Sequence, residues 1–366
     1  MSKTVVQLLR APLGGIRKHV LDILEGLPAA DFKLILITNV HESDVDLSYL
    51  VKNHKIEIHH VDIQEKPGFG DLKNLITIYK ILKNRKINVL HGHGAKDGLF
   101  ARFLAPALKC PCIYTPHGGS LHRVHGTIKN MIYDIAEKIL MPLTDIFLFE
   151  SQYTCNVYSQ NIGNPGKKSV INYNGVEIPD SFSSHVYQAG KQINCASFGF
   201  LRELKGHDIF IEACRILKEK QIPFQYSIYG NGEFRSKLSD LIVQYKLQNE
   251  VKIIEYSKDV LLEMQKYDFV VHPSRFESFG YVPVEAMSVK VPVVVSHEGG
   301  LKEVVDEASG FISFSNTPES YVDIFEKIFK GELDVESRVN HGYQRVQALF
   351  SKEVMIGNIK RVYLGS

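Results

Sequence analysis

The chain of 366 residues contains no tryptophan, only five cysteines and no strong excess of charge of either sign. It also lacks any apolar run approaching the roughly 20 residues a membrane span needs. Lys and Arg number 43 against 41 Asp and Glu, a net of +2. That balance argues against a protein that coats nucleic acid. The N-terminal MSKTVVQLLRAPLGG makes a poor signal peptide, because Arg10 and Pro12 interrupt a short apolar stretch. The chain therefore reads as soluble, or at most peripheral to a membrane. Cys110, Cys112, Cys155, Cys195 and Cys214 form no C-x-x-C pair. Cys110-Pro111-Cys112 is too tight for a zinc knuckle, and no His/Cys cluster completes it. Buried reduced thiols and a cytoplasmic setting are expected. Neither G-x-G-x-x-G nor G-x-x-x-x-G-K-[ST] is present, which argues against an NAD dehydrogenase and a P-loop enzyme.

What is present is a repeating β-α pattern. A 44% apolar and 23% charged composition is ordinary for a globular protein. Thr4–Leu9, Lys33–Thr38, Ile56–Val61, Val89–His91, Pro111–Thr115 and Ile146–Glu150 read as buried strands. Ile16–Leu27, Asn74–Asn84 and Gly98–Ala107 read as helices between them. The pattern restarts with Ile193–Phe200, and continues through strands Phe224–Tyr229, Val251–Ile254, Phe269–His272 and Val291–Ser296. His207–Lys220 and Glu233–Tyr245 are the helices of this half. Asn172–Gly190, rich in Ser, Pro and Gly, separates the halves, and the boundary is placed near Pro179. The expected fold is α/β, with two doubly wound Rossmann-like domains. A ligand site is expected at the C-terminal ends of the strands, in the cleft between domains.

Five segments at strand ends can carry chemistry. Gly14-Gly15 lets the backbone approach a ligand at a helix N-terminus, although a glycine pair in a β-α turn is as often structural. His117, in Thr115-Pro116-His117-Gly118-Gly119-Ser120, stands where it can hydrogen-bond a ligand; a turn with an incidental histidine is the alternative. Arg202 and Lys205 share a β-α loop and suit a diphosphate, unless the loop is merely solvated. In His272-Pro273-Ser274-Arg275-Phe276-Glu277-Ser278-Phe279-Gly280-Tyr281-Val282-Pro283-Val284-Glu285, two carboxylates flank a helix start. Glu277 and Glu285 can accept from hydroxyls, and the N–H groups of Phe279, Gly280 and Tyr281 can donate to phosphate. A ligand with both hydroxyls and phosphates, such as a sugar nucleotide, is implied. Gly299-Gly300 and Gly230 read as backbone-shaping elements. Asp44-Val45-Asp46 spells a metal motif but reads as a solvated turn.

In this order, these segments resemble the retaining glycosyltransferases of family 4, with the GT-B fold and the E-x7-E motif, Glu277 to Glu285. The resemblance covers essentially the whole chain. It implies that residues 1–178 form an acceptor-binding domain and 179–351 a nucleotide-sugar-binding domain. The terminal helix, about 352–366, would cross back to the first domain. It implies catalytic roles for His117, Glu277, Arg202 and Lys205. It implies donor contacts from Gly14, Gly15, Gly230, Glu277, Ser278, Phe279, Gly280, Tyr281 and Glu285. Many members place the arginine five residues before the lysine; Phe200 stands there, and Arg202 lies three before.

The implied function is transfer of a sugar, UDP-linked by expectation, to an acceptor hydroxyl with retention, in cell-surface polysaccharide or glycoconjugate assembly. No metal and no further cofactor are expected, since cations can hold the diphosphate. A saccharide or lipid-linked acceptor is the expected partner, and nucleic acid is not. A sugar-nucleotide epimerase of the same fold and an inactive sugar-nucleotide-binding subunit are the alternatives. Leu121–Leu140 mixes Arg123, Lys129 and Lys138 with Val124, Ile128, Ile132, Ile135 and Ile139. This fits an ordinary amphipathic helix, or peripheral contact with the inner face of a membrane.

Overall fold

The structure is a computed structural model that describes residues 2–118, 126–183, 187–255, 257 and 259–365. The chain falls into two compact units, Met1–Gly175 with Lys352–Ser366, and Val176–Ser351.

Unit 1 is built on a seven-stranded parallel sheet. Its strands are β1 (Lys3–Leu9), β2 (Phe32–Thr38), β3 (Glu57–His60), β4 (Val89–His93), β5 (Cys112–Thr115), β6 (Ile146–Phe149) and β7 (Ser169–Ile171). They lie in the order β3-β2-β1-β4-β5-β6-β7. The central strands are apolar on both faces because helices cover both sides. Thus Val5 and Leu36 face one core, and Val6 and Ile35 the other. The helices are α1 (Gly14–Gly26), α2 (Ser48–His54), α3 (Gly70–Leu82), α4 (Gly94–Leu108), α5 (Thr127–Leu140) and α6 (Gln152–Asn161). Ile78 and Leu82 of α3 share a core with Phe100 and Leu104 of α4.

Unit 2 repeats the plan with β8 (Ile193–Phe198), β9 (Phe224–Tyr229), β10 (Val251–Ile254), β11 (Phe269–His272), β12 (Val293–Ser296) and β13 (Phe311–Ser313). Their order is β10-β9-β8-β11-β12-β13. Its helices are α7 (His207–Glu219), α8 (Arg235–Gln244), α9 (Val260–Met264), α10 (Tyr281–Ser288), α11 (Leu301–Val304), α12 (Pro318–Phe329) and α13 (Val335–Arg345). Both sheets reverse strand order once, after β1 and after β8, and such reversals open a ligand-sized gap at the strands' C-terminal ends. The architecture is the expected one, two Rossmann-like parallel-sheet domains.

The last helix, α14 (Lys352–Leu364), belongs to unit 1. Met355, Ile356, Ile359 and Tyr363 are buried in the core that also holds Val20, Ile23 and Leu24 of α1. Lys352 fixes its start by pairing with Asp22 at 3.0 Å and Glu25 at 3.2 Å. All five cysteines are unpaired, four of them buried. Among the described residues no helix is long and apolar enough to cross a membrane.

Candidate active site

In unit 2 the polar residues converge where β8, β11 and β12 end. Glu277 lies in the loop between β11 and α10, with a largely buried carboxylate. Lys205 pairs with it, from the turn Glu203–Lys205 that precedes α7. His272, the last residue of β11, places Nε2 2.8 Å from the same carboxylate oxygen. A carboxylate only accepts, so His272 carries its proton on Nε2. Ser274 Oγ donates to that oxygen at 3.3 Å. Burial alone would raise the Glu277 pKa; the Lys205 charge and the His272 hydrogen bond outweigh it and hold the carboxyl well below the usual range. Burial lowers the His272 pKa despite Glu277, so the imidazole is neutral.

The loop geometry is fixed by contacts that spacing alone does not reveal. Arg275 grips Asp208 through two bonds, of 2.8 and 2.7 Å, and donates to the Glu203 carbonyl at 2.6 Å. Its own N–H donates to the Leu204 carbonyl at 2.8 Å. Arg275 thus ties the Lys205 turn to the Glu277 loop. From the other side, the Gly300 N–H donates to the Glu277 carbonyl at 2.8 Å. Gly299 has φ +58° and a Cβ there would stand 2.0 Å from that same carbonyl oxygen, so only glycine fits. His207, buried at the start of α7, finds no hydrogen-bond partner among the described residues. Burial first, then His272 and Lys205, lower its pKa to about 3.

The remaining unit 2 candidates occupy different settings. Gly280 caps α10 at φ +108°, and a Cβ there would meet Leu301 at 2.5 Å. Ser278 and Phe279 are buried just before it, and Tyr281 opens the helix at its positive end. Glu285 sits half-buried in the second turn of α10. Gly230 follows β9, close against the Gly199 carbonyl. Arg202 shares the Lys205 turn, with a 60% exposed side chain 3.8 Å from Glu233. Its guanidinium lies 5.2 Å from the centre of the Phe200 ring.

Unit 1 gathers histidines from α1, β4 and the turn after β5. His117 is buried at φ 52°, a left-handed conformation that a non-glycine residue adopts at a cost. Its Nε2 is 3.0 Å from His93 Nδ1, and its Nδ1 is 3.4 Å from Glu150. Asn174 donates to Glu150 at 2.9 Å. Burial would raise the Glu150 pKa, but His117 and Asn174 lower it below the usual range. His93 Nε2 meets Gln7 at 2.7 Å, Gln7 donates to the Tyr363 hydroxyl at 2.8 Å, and that hydroxyl meets His91 at 2.6 Å. Burial holds His91 and His93 well below their ordinary pKa.

His19, on α1, packs edge-on against His117 with ring centres 4.9 Å apart. Burial, then the nearby His117, lowers its pKa to about 3. Ring nitrogens of His19, His93 and His117 lie within 4.8 Å of one another, close enough to hold a divalent metal. Gly14, at φ +55°, and Gly15 open α1 on the same side of the sheet. Gly119 and Ser120, expected beside His117, lie outside the described residues, as do Arg123 and Val124.

Sequence reasoning picked out His117 but not His19, His91, His93 or Glu150. The available signal was two histidines in β4, one just after β5 and one in the first helix. Asp44 pairs with Arg17, and Asp46 accepts from the Ser48 N–H at 2.8 Å and hydroxyl at 2.7 Å, so the Asp-x-Asp sequence caps a turn.

Asp97, in the first turn of α4, accepts from the Arg10 N–H at 2.7 Å and leaves its other oxygen buried without a partner among the described residues. Burial raises its pKa to about 7. A carboxyl with a raised folded pKa is stabilising while protonated in both states, and loses that advantage as pH rises from about 4 to the folded value, at ~1.4 kcal/mol per pH unit. Asp97→Asn keeps an acceptor for Arg10 and removes the ionisation. Urea unfolding should show the variant gaining stability over the parent between pH 5 and 8; an offset independent of pH would contradict this.

Comparison with known proteins agrees with this fold. Residues 13–178 match the model of Glycosyltransferase Family 4, and residues 186–345 that of Glycosyl transferases group 1. An uncharacterized glycosyltransferase from Methanocaldococcus jannaschii is 28% identical over 96% of this chain and 94% of its own length. The Escherichia coli UDP-Gal:alpha-D-GlcNAc-diphosphoundecaprenol alpha-1,3-galactosyltransferase is 25% identical over 86% of this chain and 85% of its own. Anabaena HepE, solved with UDP and glucose, superposes with a TM-score of 0.80 at 19% identity, covering 99% of both chains. With one family domain in each half and the fold they share, the chain belongs to the GT-B glycosyltransferases built from a family 4 domain and a group 1 domain.

Proposed function

We propose that this glycosyltransferase moves a sugar from a UDP-linked donor to an acceptor hydroxyl with retention at the anomeric carbon and without a metal. The observation that carries the reading is the Lys205–Glu277–His272 cluster beside the α10 N-terminus. It combines a cation, an ionised acceptor and the N–H groups of a helix N-terminus, the three things a sugar diphosphate needs. Glu285 holds the ribose hydroxyls and Glu277 the donor-sugar hydroxyls. Lys205, with Arg202 reaching in from the turn, neutralises the diphosphate as the bond from C1 to phosphate oxygen breaks. The acceptor oxygen bonds to C1 from the same face, and its proton passes to the departing diphosphate. Ser278, Phe279, Gly280 and Tyr281 line the donor, with Gly230 shaping the neighbouring strand end. In unit 1, His117, held by Glu150 and His93, contacts the sugar near C1, and Gly14 and Gly15 lie by the phosphates or the acceptor.

This scheme calls on no ion at the histidine cluster, because Lys205 and the helix N–H groups take up the diphosphate charge. The acceptor is a saccharide or a lipid-linked saccharide, in keeping with the lipid diphosphate that the E. coli relative's name specifies. Surface polysaccharide or glycoconjugate assembly, at the inner face of a membrane, is the setting this gives. A thermal-shift panel of nucleotide sugars should single out UDP-sugars by a raised melting temperature. NMR of the reaction should then show product with the donor's anomeric configuration. Conversion of donor without acceptor would instead identify an epimerase, and binding without any turnover an inactive subunit.

A further inference from the structure

Helix α5 is built the wrong way round for a water-covered helix. Its side toward the protein carries polar Asn130 and Glu137 together with Leu140. Glu137 there receives bonds from Arg102 at 2.8 Å and Tyr114 at 3.1 Å. Its outward side carries Ile128, Ile132, Ile135 and Ile139, spaced i, i+4, i+7 and i+11 along one stripe. Ile128 is 73% and Ile139 69% exposed. Four isoleucines in a stripe form the kind of continuous apolar patch that a monomeric soluble surface rarely shows.

The neighbouring helices extend the patch. Glu137 of α5 pairs with Arg102 of α4, and α4 shares its core with α3, so the three lie on one side of the sheet. The exposed residues of α4 are Phe103, Pro106 and Ala107, all apolar. Leu72, Ile76 and Tyr79 are exposed along α3. The exposed charges on these three helices are Lys73, Lys80, Lys129 and Lys138, every one positive; the acidic residues Asp71, Asp97, Asp134 and Glu137 are half-buried or buried.

We propose that the outer face of α3, α4 and α5 seats this protein on an anionic phospholipid surface. Apolar side chains enter the boundary between headgroups and acyl chains, and the lysines meet lipid phosphates. A second protein chain would need acidic groups opposite four lysines as well as an apolar surface, whereas a bilayer with anionic lipids supplies both along its whole plane. The inference concerns unit 1 alone and does not depend on the donor chemistry proposed for unit 2.

The test is co-flotation of the full chain with vesicles of phosphatidylglycerol and phosphatidylcholine. The parent should float with anionic vesicles and much less with phosphatidylcholine alone. Ile132→Glu with Ile139→Glu should abolish flotation. Lys129→Glu with Lys138→Glu should weaken it by at least ~30-fold, about fivefold for each lysine charge removed. The UDP-induced thermal shift of each variant should match the parent, which separates loss of lipid contact from misfolding and from failure of the donor reading. Because the chain has no tryptophan, Ile135→Trp adds a single reporter at the centre of the stripe. Its emission should move to the blue on adding anionic vesicles. A parent that does not float, a tryptophan that does not shift, or a parent dimer that Ile132→Glu with Ile139→Glu splits would overturn the proposal; the last would assign the face to a second copy.

Discussion

Lys205→Ala is expected to lower kcat by about 10²–10³, the cost of removing one preorganised partner of a developing oxyanion. Glu277→Ala should abolish measurable transfer. The two effects will not add, because each residue is the other's partner in the donor-free structure. Losing Lys205 leaves Glu277 buried with, among the described residues, His272 and Ser274 against its charge. The second substitution in the double variant should therefore cost much less than it does alone. Turnover of a UDP-sugar by the four proteins, with UDP titrations to separate binding from chemistry, measures the cycle. Full additivity would show that the pair does not act as a unit.

The largest effect on stability should come from a residue in unit 1. Arg102 has a completely buried side chain, stacked 3.9 Å over Tyr114 and paired with Glu137. Glu137 collects further bonds from Tyr114 at 3.1 Å and Tyr158 at 3.3 Å. Arg102→Leu leaves that carboxylate charged in the core, and should cost about 3–5 kcal/mol. Arg102→Leu with Glu137→Leu removes both charges and should recover much of the loss. Urea unfolding of the three variants tests this, and an Arg102→Leu protein within ~1 kcal/mol of the parent would refute it.

The fold was legible because parallel strands buried on both faces write themselves as short apolar runs. Val5 to Leu9 and Leu34 to Ile37 are examples. Element ends were less legible. The helix expected over Asn74–Asn84 runs from Gly70 to Leu82, since backbone bonds and a single acidic residue, Asp71, set its start. Helices α12 and α13 are not among the elements named from periodicity. The Glu277 loop could be read because its whole chemistry is local in sequence. The histidine network could not, because His19, His93 and His117 come together only through strand order, and Tyr363 joins from 270 residues beyond His93. Amphipathicity marked α5 correctly as two-faced, yet periodicity cannot say which face turns inward. Here a buried arginine claims the polar one.

Helix α14 also bears on how the protein is made. Unit 1 begins the chain but takes its final helix from Lys352 onward, after all of Val176–Ser351. A ribosome therefore releases a complete unit 2 before unit 1 can close, reversing the usual order in which the first domain folds first. Until Met355, Ile356, Ile359 and Tyr363 emerge, the surface of α1 that they cover stays open, and Gln7 and His91 wait for the hydroxyl that joins them. A nascent chain that has exposed Val176–Ser351 but not α14 would carry an intact unit 2 attached to an incomplete unit 1.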